Sequence, residues 1–314
     1  MFHRVRLIPQ WSVGLTLTLV LLLGACSGSA PISKNTHDTH PAPNGNPTAT
    51  PIGGPTATPT PPGGGKPFRI IERLNTAYMT PEHTATATAQ CDPGEQLVSG
   101  GFNIPAAYNY STPYANFPSS LTTWTVSADN LTSSIVPLEA DVYCFQGSVS
   151  LNMTIQSAVP GLPFVSCPSM SFLTGGGFRL SRGLPYTIIQ SRPLGQAWFV
   201  GSTYPGGTPV PATLTMYALC ATSHVAPGAQ PESSFAALAN SGGGATITGC
   251  PSFQTLTGGG FADFDSGGYF TMFFNFAGFI PAIAVNQWMV GVQNTDTVHA
   301  HGGGVYGVCV YITH

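Results

Sequence analysis

The sequence predicts an all-β protein built from three antiparallel-sheet repeats, and three observations carry that prediction. Six of the seven cysteines fall into successive pairs: Cys91 with Cys144, Cys167 with Cys220, and Cys250 with Cys309. Between the members of each pair the same landmarks recur: Leu97, Leu173 and Leu256, then Gly100–Phe102, Gly176–Phe178 and Gly259–Phe261, then Trp124/Val126, Trp198/Val200 and Trp288/Val290. Lastly, the apolar residues alternate with polar ones in short runs punctuated by Gly and Pro, and no long stripe of 3.6-residue period appears.

From the N-terminus, Arg4 and Arg6 precede an apolar run from Val13 to Leu23 that is too short to span a bilayer comfortably. Leu23-Gly24-Ala25-Cys26 follows and resembles the lipobox of bacterial lipoproteins, with Gly24 a less common residue at its position. The resemblance implies that 1–26 is a signal peptide and that Cys26 is acylated, anchoring the protein to the extracellular face of the cell membrane at ~0.8 kcal/mol per buried CH₂. Such a compartment permits disulfides. Residues 27–67 are rich in Pro, Thr, Gly, Ser and Ala, so they bury no core. In polyproline geometry they make a stalk on the order of 100 Å.

Residues 68–314 form the predicted all-β domain, with repeats at about 68–147, 148–223 and 224–314. Each repeat reads as four or five short strands. The first is expected to carry the opening cysteine, the second to end at Gly-Gly-Phe, the fourth to hold the Trp and the last to hold the closing cysteine. A Gly pair within a strand marks a bulge, a bend or a close approach of another backbone. Pairing cysteines within repeats would close loops of fifty to sixty residues, each worth roughly 4 kcal/mol in the chain-entropy account. Cys144–Cys167, Cys220–Cys250 and Cys91–Cys309 is the competing connectivity.

The pattern Cys-Pro, Gly-Gly-Gly-Phe, Trp-x-Val, Cys is clearest in Cys167-Pro168 with Gly175–Phe178 and in Cys250-Pro251 with Gly258–Phe261. It resembles a module of secreted bacterial proteins that occurs singly, in tandem or at the ends of collagen-like stalks. The first repeat departs from it, with Asp92 between Cys91 and Pro93 and with Ser99 in place of the first Gly. The resemblance implies threefold packing, and at fold level the layout is similar to the vitelline membrane outer layer protein, a β-prism with pseudo-threefold symmetry. Three β-beads in series are the alternative, disfavoured because one repeat alone is near the size where a core is marginal.

Only 7% of the residues are charged, and without Arg4 and Arg6 seven basic face twelve acidic residues. No basic patch exists to displace counterions, so nucleic acid is excluded as a partner. The surface must then be neutral and hydrogen-bonding, which suits polysaccharide or another surface protein.

Function is expected in the non-repeating segments between Gly-Gly-Phe and Trp, which the symmetry would gather on one rim. The first (103–123) offers Tyr108, Tyr110, Tyr114 and Asn116, rings and amides of the kind that bind sugars. The second (179–197) offers Arg179, Arg182 and Arg192. The third (262–287) offers Asp263, Asp265 and Tyr269, then Phe270, Phe273, Phe274, Phe276 and Phe279, read as a core-facing hairpin. Asp263/Asp265 and Glu139/Asp141 are the carboxylate pairs on which a glycoside hydrolase reading would rest. His299-Ala-His301 is at most half a zinc site. No cofactor, metal or catalytic residue is assigned. The expected function is a lipid-anchored, non-catalytic surface binding module, with an inert envelope component as the alternative.

Overall fold

The computed structural model describes residues 68–312 apart from 106–110, 148–149, 159–163, 182–186, 204–212, 223, 239–241, 265–269 and 281–284. The lipobox with Cys26 and the stalk lie outside the described residues, as do Tyr108, Tyr110, Arg182, Asp265 and Tyr269.

The first repeat contains β1 (Arg69–Met79), β2 (Thr84–Gln90), β3 (Gln96–Asn103), β4 (Thr112–Pro118), β5 (Thr123–Asp129) and β6 (Val136–Gln146). The second contains β7 (Asn152–Ala158), β8 (Phe164–Ser166), β9 (Phe172–Leu180), β10 (Thr187–Leu194), β11 (Ala197–Thr203) and β12 (Leu214–Thr222). In the third, β13 (Val225–Pro227) and β14 (Glu232–Leu238) share one edge; β15 (Gly243–Gly249), β16 (Thr255–Asp263), β17 (Phe270–Ile280), β18 (Val285–Asn294) and β19 (His301–Ile312) follow. Each repeat therefore has six or seven strands rather than four or five. The opening cysteine sits just after a strand (β2, β8 and β15) and not within one; Cys91 and Cys167 give their N–H to the Thr122 and Gln196 carbonyls in neighbouring turns and not to a ladder.

The strands form three antiparallel sheets, ordered β1-β6-β3-β17-β18-β15, β2-β5-β4-β9-β12-β7 and β13-β19-β16-β10-β11-β8, with β14 also on β19. Every sheet is half one repeat and half the next, and the first sheet joins repeat one to repeat three. That exchange closes a pseudo-threefold β-prism and excludes beads in series. The disulfides pair within repeats, Cys91–Cys144, Cys167–Cys220 and Cys250–Cys309.

The recurring glycines explain the closure. At the middle position, a Cβ on Gly100, Gly176 or Gly259 would lie inside the indole of Trp124, Trp198 or Trp288. The third glycine lies at the seam with the neighbouring repeat. A Cβ on Gly101, Gly177 or Gly260 would come within 3.0 Å of the carbonyl oxygen of Asn275, Asn116 or Ser191. At the first position the repeats meet: a Cβ on Gly175 would lie 2.6 Å from that of Ser99, and one on Gly258 3.0 Å. The centre thus holds one small side chain, which is why repeat one can depart from the pattern while the other two keep glycine. A bulge precedes this point in each repeat, at Val98, Thr174 and Thr257, where the ladder register shifts.

The core is one apolar cluster containing Trp124, Trp198 and Trp288 with Phe102, Phe178 and Phe261. Each indole N–H is satisfied: Trp124 donates to Asn116 Oδ1 (2.6 Å), Trp198 to Ser191 Oγ (3.0 Å) and Trp288 to Asn275 Oδ1 (2.7 Å). These acceptors are the same residues whose carbonyls press on the seam glycines, so one residue per repeat both anchors the Trp and fixes the inter-repeat contact.

Candidate functional site

The three variable segments do not simply form a rim. Their described parts are mostly β4, β10 and β17, each the seam strand of a different sheet. Asn116 is 1% exposed and serves Trp124, so it is structural. Tyr114 is the bulge residue of β4 and half-buried. Arg179 lies on the second sheet over the Phe117 ring (5.6 Å), while Arg192 lies on the third. Asp263 is 1% exposed and so cannot present a carboxylate at the surface. β17 and β18 do form a hairpin, but of its phenylalanines only Phe274 and Phe276 have described side chains: they stand half-buried with their rings 5.4 Å apart, while Met272 and Asn275 are buried.

Glu139 and Asp141 do share a face of β6, but not as solvated residues. Asp141 is 1% exposed and its Oδ2 has no hydrogen-bond partner among the described residues. Burial pushes its carboxyl well above the usual range, helped by the charges of Glu139 and Glu72. Nearby, the Tyr143 hydroxyl accepts the Ala277 N–H (2.7 Å) and has Glu72 Oε1 at 3.2 Å. A carboxyl so enclosed offers no atom to a substrate. Its consequence is for stability. With the folded-state pKa above the unfolded value, Asp141 contributes stability at low pH that is lost as pH rises through the folded pKa. Asp141→Asn is therefore expected to melt higher than the parent at neutral pH, with the gap shrinking in acid. A gap independent of pH between 4 and 8 would show that the Asp141 carboxyl titrates normally.

His299 Nδ1 and His301 Nε2 both meet one carboxylate oxygen, Asp296 Oδ2, at 3.0 and 2.9 Å. Asp296 also accepts the N–H groups of Val298 and His299, which holds its carboxyl below the ordinary range, the His301 contact being the largest cause. This arrangement closes the turn between β18 and β19. Cys91, Cys144 and Glu95 converge as metal ligands would, but the two sulfurs are bonded to each other and Glu95 takes two 2.7 Å bonds from Arg73.

The arrangement with the most to offer a ligand is the outer face of the third sheet. Strand register lines up Phe164, Phe199, Arg192, Gly260, Tyr306 and Glu232 in one row across six strands. Trp198, Ser191 and Val305 alternate with them and face the core, so the row faces solvent. Six strands span roughly 24 Å at about 4.8 Å per step. The Arg192 guanidinium lies 5.4 Å from the Phe199 ring centre and 5.1 Å from that of Tyr306, and its Nε donates to Gln190 Oε1 at 3.1 Å. Seam glycine Gly260 carries no side chain, which lets Arg192 reach across β16 to Tyr306. Burial raises the Tyr306 hydroxyl above its ordinary pKa, and a hydrogen bond to Glu232 adds to the effect. Beside the Phe164 end, a depression of about 250 Å³ is lined by Phe164, Ser166, Leu194, Gln196 and Ala197. Phe164 and Leu194 are 41% and 47% exposed.

Of this face, sequence reasoning found only Arg192. A usable signal was present: the position before the closing strand's core residues is Asp141, Tyr217 and Tyr306 in the three repeats, and the one between Trp and Val is Thr125, Phe199 and Met289. The equivalent row of the second sheet is closed by a Phe117–Tyr217 stack at 5.0 Å, with Arg179 over the Phe117 ring from outside the row. No family model matches the chain, and none of the curated proteins matches it either.

Proposed function

We propose that the protein is a lipid-anchored module of the bacterial cell surface that binds polysaccharide without altering it. The observation that carries this reading is the outer row of the third sheet, in which the rings of Phe164, Phe199 and Tyr306 flank Arg192, with Glu232 at the far end and Gln190 bonded to Arg192 from the next row. A pyranose ring has apolar C–H faces and hydroxyls at its rim. Flat rings flanked by oriented donors and acceptors match both, and a row of roughly 24 Å has room for several sugars.

The test is a binding screen of the oxidised full-length chain in detergent against cell-wall and extracellular polysaccharides. Tyr306→Ala and Phe199→Ala are each expected to weaken binding about tenfold, the loss of one ring stack of ~1 kcal/mol or slightly more. Binding that survives both substitutions would move the site off this face. Silence across the panel from a folded sample would favour the inert envelope component.

A further inference from the structure

Resting on that reading, we infer that the polysaccharide is an acidic one, and that Arg192 reads its carboxylate or phosphodiester. The surroundings of Arg192 differ from those of the tightly paired Arg73. Arg73 is engaged by Glu95 through two 2.7 Å bonds and by Asp92 at 2.5 Å. Arg192 has no carboxylate partner among the described residues, and rings lie at 5.4 and 5.1 Å from its guanidinium.

A guanidinium is a planar fork of five N–H donors. The cation–π contacts with Phe199 and Tyr306 use none of its N–H groups. Gln190 Oε1 takes the Nε–H, so the Nη groups are the donors left for a ligand. Two parallel N–H groups in one plane match a carboxylate or phosphate oxygen pair, and a charge-assisted bond of that kind is about twice as strong as a neutral one. Holding the plane in advance removes much of the rotamer entropy that an exposed arginine loses on binding.

An arginine at this position of the row is specific to this sheet, and Arg179 on the second sheet meets the single ring of Phe117 (5.6 Å) from outside the row. At the positions equivalent to Arg192 the first and second sheets carry Phe276 and Phe117, each beside its own seam glycine. The surrounding surface is not a general trap for anions, since the chain has nine basic and twelve acidic residues. One positioned cation on a weakly charged face selects for an acidic group at a defined place along a sugar chain, and not for charge density.

The experiment is calorimetric titration of the oxidised full-length chain with oligogalacturonate, with oligo(glycerol phosphate) and with neutral xylo-oligosaccharide of matched length, at low and moderate salt. One of the acidic ligands is expected to bind at least tenfold tighter than the neutral one, and which of them does so identifies carboxylate or phosphodiester as the group read. Arg192→Gln should remove that preference by about tenfold or more. Arg192→Lys should keep part of it, because charge remains while the fork is lost. Arg69→Gln removes the same charge from the first sheet and should change nothing. Thermal melts of the variants accompany each titration, and if Arg192→Gln melts well below the parent the Arg192→Lys comparison decides. Equal affinity for acidic and neutral oligosaccharides, unaltered in Arg192→Gln and Arg192→Lys, overturns the inference and leaves the binding-module reading intact. Absence of binding to every saccharide overturns both.

Discussion

Gly260→Ala is expected to lower the stability of the prism by about 3 kcal/mol, the upper end for an overpacked site. The added methyl would meet the Ser191 carbonyl oxygen and carbon inside 3.0 Å and Arg192 Cα at 3.0 Å, all of them backbone atoms that no rotamer change can move. The seam has little slack, because β10 and β16 share only the pairs Gln190↔Ala262 and Ser191↔Phe261. Relief would require parting the strands. That would also shift Ser191, whose hydroxyl holds the Trp198 indole at 3.0 Å, so seam and core would loosen together. Gly177→Ala and Gly101→Ala face the same geometry at Asn116 and Asn275 and should cost similar amounts. Gly195→Ala is the contrast: nothing lies within 4 Å of its would-be Cβ, and the penalty comes from its φ of +61° alone, about 1 kcal/mol. Guanidinium melts of the four variants check this. A Gly260→Ala protein that melts like Gly195→Ala would mean that the repeats do not approach one another at this point.

These glycines show how far the sequence could be read. Recurrence of Gly-Gly-Phe and Trp-x-Val between paired cysteines was enough for three repeats, since a motif repeated in one chain reflects a shared packing problem. Short alternating runs gave the all-β class, and threefold packing came from the resemblance to the secreted bacterial module. The close approach was legible as one of three uses for a Gly pair. What approached was not. The partner of Gly260 is Ser191, about seventy residues earlier and in another repeat, and single-sequence spacing carries no information about such a seam. Asn116 shows the same limit from the other side. An Asn near tyrosines reads as a sugar contact, yet the chain turns it inward, where an indole N–H that cannot be left unpaired in the core claims it.

The candidate site was less legible than the fold because strand alternation had to be known before faces could be assigned. Phe199 and Tyr306 sit beside Trp198 and Val305, which face the core, and hydrophobicity alone gives all four the same reading. Only register places Phe199, Arg192 and Tyr306 in one row, and register was not available from spacing. Glu139 and Asp141 failed in the opposite direction. Their i,i+2 spacing was read correctly as one face of a strand, but nothing local showed that this face is covered at Asp141.

Loss of a single disulfide is expected to weaken the whole prism and not one third of it. Cys167–Cys220 spans 53 residues, for which the chain-entropy account gives about 4 kcal/mol, and the paired substitution to Ala should lower stability by about that amount. Repeat two lends β10, β11 and β8 to the third sheet and β9, β12 and β7 to the second, so its unfolding would strip half of each. The exposed halves belong to repeats one and three, and their tryptophans share one buried cluster with Trp198. Repeats one and three therefore have no folded state of their own to fall back on. The expected denaturation curve of the Cys167→Ala/Cys220→Ala protein is one transition, moved to lower guanidinium, in which fluorescence from Trp124, Trp198 and Trp288 changes together. Paired substitutions at Cys91/Cys144 and Cys250/Cys309 should shift the same single transition by similar amounts, because their spans of 53 and 59 residues differ little in loop entropy. Two separated transitions, with Trp124 and Trp288 keeping their native emission after Trp198 has changed, would mean that the repeats are autonomous. Sheets shared between repeats forbid that outcome, since each ladder at a seam has one strand from either side and cannot survive the loss of one of them.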